Sequence, residues 1–159
     1  MWLKNFALDE LARRVTGTAL NLEVVAGRAF VADGDAGLRI FNLTNLAMPA
    51  AMGFLPTQGN TRDVRISGDL AFIADGTGGL RIATITNPAA PVVIGSYTSG
   101  GQANAVRLSG DRAYLANGTA GLLILDVQNP ALPALLGTYP TTNATALDVT
   151  GNIVVLADG

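Results

Sequence analysis

Cysteine and histidine are both missing from these 159 residues. Their absence removes disulfides, thiolate and imidazole nucleophiles, haem attachment, zinc fingers and imidazole metal ligands, and it leaves carboxylates as the only strong titrating groups near neutrality. Lysine occurs once, as Lys4, so any nucleophile would depend on a carboxylate base. Charged residues make up only 14%, the ten basic ones are scattered, and the formal net charge is −2. That composition has no electrostatic footprint for nucleic acid or an anionic membrane. Long apolar runs are lacking as well: stretches such as Ala89–Ile94 fall far short of the roughly 20 residues a spanning helix needs. The amino end carries charge throughout and has no uninterrupted apolar h-region of a signal peptide. The absence of cysteine fits either redox compartment, so it does not decide localisation.

What is present is a packed, strand-forming composition. Hydrophobic residues reach 49%, with 19 glycines and seven prolines against 6% aromatics, which favours many short strands joined by tight turns. The chain also repeats itself. Ala32-Asp33-Gly34 recurs as Ala74-Asp75-Gly76, Ala116-Asn117-Gly118 and Ala157-Asp158-Gly159, at steps of 42, 42 and 41. Gly37, Gly79 and Gly121 keep the 42-residue step, as do Pro49, Pro91 and Pro133, and Gly53, Gly95 and Gly137. So many columns in register define a repeat architecture.

Each unit reads as four short strands. In the second, Asp63–Ser67 alternates as a half-buried strand, Gly68-Asp69 supplies a two-residue turn, and Leu70–Ala74 returns with Phe72 and Ile73 at its centre. A glycine-rich loop over 75–79 leads to a third strand, Leu80–Ile85; Pro88 and Pro91 break the ladder before a fourth, Val92–Thr98. Four antiparallel strands per 42 residues match a propeller blade, whose apolar faces are buried only against neighbouring blades.

The segments Gly68–Ile82 and Gly110–Tyr139 closely resemble the LVIVD repeat family. The Ala-Tyr-x-Ala-Asp/Asn-Gly turn, the Gly-Leu-x-Ile strand and the Asp-Val-x-Asn-Pro step all stand in the third unit between Ala113 and Pro130, whereas the family's Asp survives only as Asp126. The resemblance covers about residues 18–159 and implies β-propeller architecture. It also suggests an extracellular or cell-surface setting in bacteria or archaea.

The expected fold is therefore all-β: a β-propeller segment of four-stranded antiparallel blades at a period of 42, about three and a half blades long. Residues 1–18 form an N-terminal segment, and 19–59, 60–102, 103–143 and the partial 144–159 are the units. Since a ring needs at least four blades, the half blade reads as a fragment of a larger propeller, with self-association through open blade edges as the alternative. Leucines three apart and acid-before-base order suit a short helix over 5–16, but the repeat register places Leu11–Thr18 where an outer latching strand would sit.

Candidate site residues come from two sets of columns. With each unit's first strand nearest the axis, Glu23, Arg65, Arg107 and Asp148 share one face and Val24, Ile66, Leu108 and Val149 the other. This predicts Glu23 beside Arg65 and Arg107 beside Asp148, either as an ion-pair girdle or as a channel mouth for a polar or anionic ligand. Asn21 and Asp63 lie two residues earlier, nearer the rim. The other set is the turn column Asp33, Asp75, Asn117 and Asp158, which reads as turn chemistry in which the side chain accepts backbone N–H groups two residues on. Asp33 and Asp35 alternate as in a calcium loop, a weak Ca²⁺ candidate that lacks the later ligands. Phe30, Phe72 and Tyr114 read as core.

The function these residues point to is a non-catalytic binding or scaffold module, with a protein or carbohydrate ligand on a loop face or in the channel, no cofactor, no nucleic acid and no membrane insertion. The alternative is a piece of a carboxylate-dependent hydrolase or lyase whose catalytic residues lie in other blades.

Overall fold

The computed structural model describes residues 18–159; the helix-or-strand question over 5–16 lies outside the described residues. Fourteen strands follow in order: β1 (Asn21–Val25), β2 (Arg28–Ala32), β3 (Leu38–Asn42), β4 (Ala50–Leu55), β5 (Asp63–Ser67), β6 (Leu70–Ala74), β7 (Leu80–Thr84), β8 (Val92–Tyr97), β9 (Ala105–Ser109), β10 (Arg112–Ala116), β11 (Leu122–Asp126), β12 (Ala134–Tyr139), β13 (Ala144–Thr150) and β14 (Ile153–Asp158). They form three antiparallel four-stranded sheets, β1–β4, β5–β8 and β9–β12, and a two-stranded sheet, β13–β14. These are the blades expected from the 42-residue period. Among the described residues no helix is long and apolar enough to cross a membrane.

Local sequence explains the meanders. Gly68 takes a φ of 56°, the left-handed value that the first position of a two-residue hairpin turn demands, and Ser67 pairs directly with Leu70 across it. After β7 the prolines stay outside the ladder, and Asn87 turns the chain by accepting the amides of Ala89 (at Oδ1, 3.2 Å) and Ala90 (at its carbonyl, 3.0 Å). Gly79 closes the loop before β7 with a φ of 75°. A Cβ there would lie 2.2 Å from the carbonyl oxygen of Tyr97, and Gly37 and Gly121 are in the same position against Leu55 and Tyr139. The column is thus glycine for two independent reasons, handedness and space.

The core sits between blades. Phe30, Leu38 and Ile40 of the first sheet pack with Val64, Ala71 and Ile73 of the second. On its other face the second sheet gives Phe72, Leu80 and Ile82 to a cluster with Val106, Leu115 and Leu125 of the third. Tyr114, Leu122 and Ala116 then pack with Leu147 of β13. The second strands therefore read as unbroken apolar runs, since both of their faces are covered; all but the first residue of β6 are buried. Phe30, Phe72 and Tyr114 are core residues, 1%, 4% and 8% exposed.

Linkers staple blade to blade. Gly34 pairs with Thr61, Gly76 with Ala103 and Gly118 with Ala144, so the loop after each second strand holds the segment that enters the next blade. The same end of the array carries the turns at 33–37, 75–79 and 117–121 together with the three linkers.

Candidate functional site at the linker end of the first strands

The first strands are the elements that adjoin from blade to blade: β1 touches β5, β5 touches β9 and β9 touches β13. Their centre is Asp63, 1% exposed. Its Oδ1 accepts from Asn21 Nδ2 (2.7 Å), Val64 N (2.9 Å) and Arg65 Nη1 (2.9 Å). Its Oδ2 accepts from Val106 N (3.1 Å) and Arg107 Nη1 (2.8 Å). One carboxylate thus binds side chains or backbone of three successive units. The two arginines also donate to the carbonyls of Val64 and Val106.

The expected charge pairs are corrected in part. Arg65 turns to Asp63 in its own strand, and Glu23 instead accepts the Ile66 amide at 2.6 Å. A buried carboxylate two residues away, already aligned by backbone amides, is the nearer and better-oriented partner for the guanidinium. Arg107 does reach Asp148, at 3.7 Å, but Asp148 is 76% exposed and the closer contact is to Asp63. Asp63 and Asn21, expected nearer the rim, are respectively the hub and one of its donors. Because Asp63 already occupies both guanidinium groups, an anion at Arg65 and Arg107 would compete with it.

The turn column is also wired differently from a local turn motif. Asp75 is buried and holds Arg81 Nε at 2.7 Å, Gly59 N at 3.0 Å and Thr61 Oγ1 at 3.0 Å. Its backbone donor comes from the preceding linker, sixteen residues earlier. Asp33 holds Arg39 Nε at 2.7 Å. In the third unit both charges vanish together: Asn117 replaces the acid, Leu123 stands where Arg39 and Arg81 stand, and Asn117 exchanges hydrogen bonds with Ser99. At Asp158 the amides of Asn143 and Thr142 hold the carboxyl below its ordinary value of 3.8.

For the Ca²⁺ candidate, Asp33 is buried against Arg39, and Asp35 accepts Asn60 Nδ2 at 2.7 Å. Among the described residues no three His, Cys, Asp or Glu side chains cluster as a metal site.

A second column had no part in the sequence reading. Leu20, Arg62, Asn104 and Thr145 immediately precede Asn21, Asp63, Ala105 and Ala146, and with Gln102 and Asn143 they line one cavity of about 340 Å³ at the linker end. Arg62 is half-buried, and its Nη1 donates to Asn104 Oδ1 at 2.9 Å; Asn104 is in turn anchored by donating to the Ala144 carbonyl at 2.8 Å. The sequence signal was available: in this column the residue type changes in every unit, whereas the glycine and proline columns repeat theirs. A larger cleft, about 460 Å³, lies at the opposite end between the β9–β10 and β13–β14 turns, with Asp111, Arg112, Asp126 and Asn152 on its walls.

The geometry defines a blade array of the β-propeller type. A family model, LVIVD repeat, matches residues 16–57, 58–99 and 100–141, and the chain belongs to that family. Solved structures similar to it include two computationally designed proteins. Ika4 aligns with a TM-score of 0.74 at 12% identity, over 90% of this chain and 86% of that one. Ika8 aligns with a TM-score of 0.69 at 12% identity, over 86% of this chain and 42% of that one, so the match spans less than half of Ika8. No curated protein sequence matches.

Proposed function

We propose that this chain is a non-catalytic binding module whose blades form a rigid frame for a small polar ligand at the linker end of the first strands. The observation that carries this reading is the cavity lined by Leu20, Arg62, Gln102, Asn104, Asn143 and Thr145. Its walls come from the residue before β1, three linkers and the start of β13; bridges between blades hold the linkers in register, and preorganisation of this kind lowers the ordering cost of binding. The groups it offers are a guanidinium, primary amides and a hydroxyl, which suit a hydroxyl-rich ligand of carbohydrate type. The buried carboxylates Asp63 and Asp75 are each held by arginine and other donors, in arrangements that serve structure.

The test is a thermal-shift screen of a saccharide and organic-acid panel against the wild type, an Arg62→Gln/Asn143→Ala variant and an Arg112→Gln control at the opposite cleft. Support is a stabilising compound lost only in the first variant and recovered chemically unchanged. Stabilisation that survives in the first variant, or conversion of the compound, overturns the reading.

A further inference from the structure

Four arginines of the described residues, Arg39, Arg65, Arg81 and Arg107, are paired with carboxylates at 2.7–2.9 Å. Arg62 is different. It is half-buried, its one side-chain hydrogen bond goes to the neutral amide of Asn104, and its Nε–H is buried without an acceptor. An N–H removed from water without a partner is costly, more so on a charged group. Its backbone amide donates to the Ala74 carbonyl and its Nη1 to the anchored Asn104, which together place the guanidinium at the cavity wall.

The molecule shows what chemistry answers such an edge. On Arg39 and on Arg81 the Nε–H is met by a carboxylate oxygen, of Asp33 and Asp75, each at 2.7 Å. Asn104 takes Nη1 of Arg62, which leaves Nη2 and the buried Nε, the side-on edge of the guanidinium; a two-oxygen acceptor there engages Nη2 first and reaches Nε as the side chain shifts outward. Among the described residues no acid lines the cavity beside it; the remaining walls are Leu20, Gln102, Asn143 and Thr145. A cation held in place among neutral hydrogen-bonding groups selects an anion that also carries hydroxyls.

We propose that Arg62 is a carboxylate receptor and that the ligand of this cavity is a small hydroxy-carboxylate of the sugar-acid class, its carboxylate on Arg62 and its hydroxyls on the amides of Gln102 and Asn143. This rests on the binding-module reading above and narrows it. Binding forms no covalent bond and needs no cofactor.

The test is ¹⁵N NMR of the chain, following the arginine Nε–H and side-chain amide resonances. The probes are D-glucuronate, D-glucose and inorganic phosphate. Glucuronate is expected to shift Arg62 Nε–H and the Gln102 and Asn143 amides saturably, and to bind about tenfold more tightly than glucose or phosphate. Arg62→Gln should weaken it about tenfold, and Arg62→Lys, which keeps the charge and loses the fork, by several-fold. Should Arg62→Gln fail to fold, Asn104→Asp serves instead: it places an internal carboxylate against Arg62 and should weaken glucuronate by about tenfold. The proposal is overturned by no saturable shift up to about 50 mM glucuronate, by equal binding of glucose or phosphate, or by unchanged affinity in the variants. A neutral ligand found in the thermal-shift screen and lost in Arg62→Gln/Asn143→Ala would sink this proposal while leaving the binding-module reading standing.

Discussion

Replacing Asp63 by alanine removes the one carboxylate that ties three blades together, and the cost follows from what it leaves behind. Three donors lose their acceptor, Asn21 Nδ2 and the amides of Val64 and Val106, while Nη1 of Arg65 and of Arg107 loses its charged partner and keeps a backbone carbonyl. Breaking a fully buried ion pair costs about 3–5 kcal/mol, and each stranded buried amide about 1–3 kcal/mol. Arg65 and Arg107 are 22% and 25% exposed and recover part of their hydration, and water entering the space relieves the amides. The net loss should be about 3 kcal/mol, on the order of a 1.5 M drop in urea midpoint for a domain of this size. The backbone itself tolerates alanine, since Ala105 holds the equivalent position in the third unit. Asp63→Ala/Arg65→Met/Arg107→Met should therefore regain most of the loss, because replacing a whole buried charge cluster by apolar groups is close to neutral. Urea denaturation of the wild type, the single and the triple variant decides. A single-variant loss below about 1 kcal/mol, or a triple variant no better than the single, would refute the hub argument.

The glycine column offers a matched pair. Gly95→Ala puts a Cβ 2.0 Å from the Pro130 carbonyl oxygen of the next blade, whereas at Gly137 nothing lies within 4 Å; thermal denaturation should show a loss of about 2 kcal/mol or more for the first and within about 0.5 kcal/mol for the second, and equal effects would contradict the inter-blade contact. Asp158 titrates below 3.8 in the folded chain because the Asn143 and Thr142 amides favour its ionised form. Its stabilising contribution is thus present above 3.8 and fades as pH falls through the folded-state value. A carboxyl ¹³C titration with its midpoint at or above that of an unstructured aspartate would disprove it. Finally, Leu22, Val24 and Val25 on β1 and Leu135, Tyr139, Ile153 and Val155 on β12 and β14 are exposed. The purified 159-residue chain should therefore sediment with rising mass as concentration increases. A single monomeric species throughout that series would be the contrary result.

Strand limits were readable because each depends on local chemistry that recurs. Gly68 fixes a hairpin wherever the backbone must turn left-handed, Pro88 and Pro91 keep the ladder from running on, and Gly79 marks where a strand passes under a carbonyl. Pairing within the charged column was not readable, because side-chain partners depend on which neighbour is already oriented. Glu23 and Arg65 are adjacent by column, yet the backbone amides of Val64 and Val106 fix Asp63 in place, and both arginines follow it. Arg62 escaped notice for a related reason. Sequence reading finds clusters of charge, while what sets Arg62 apart is a buried Nε–H with no acceptor, a property of its surroundings.

The repeat itself separates architecture from recognition. Where a position does the same mechanical job in every unit, its residue either stays the same or changes together with its partner. Asp33 with Arg39 and Asp75 with Arg81 keep the ion pair, and Asn117 with Leu123 loses both charges at once. That joint change is what a buried pair demands, since one uncompensated charge costs more than none. The column Leu20, Arg62, Asn104 and Thr145 follows neither pattern: its backbone hydrogen bonding recurs, as Leu20, Arg62 and Asn104 each donate to the end of their own second strand, while the side chains run from apolar to cationic to amide to hydroxyl. Constant backbone with divergent side chains around one cavity is how a symmetric frame becomes an asymmetric surface, and only an asymmetric surface can hold a small ligand in a single orientation.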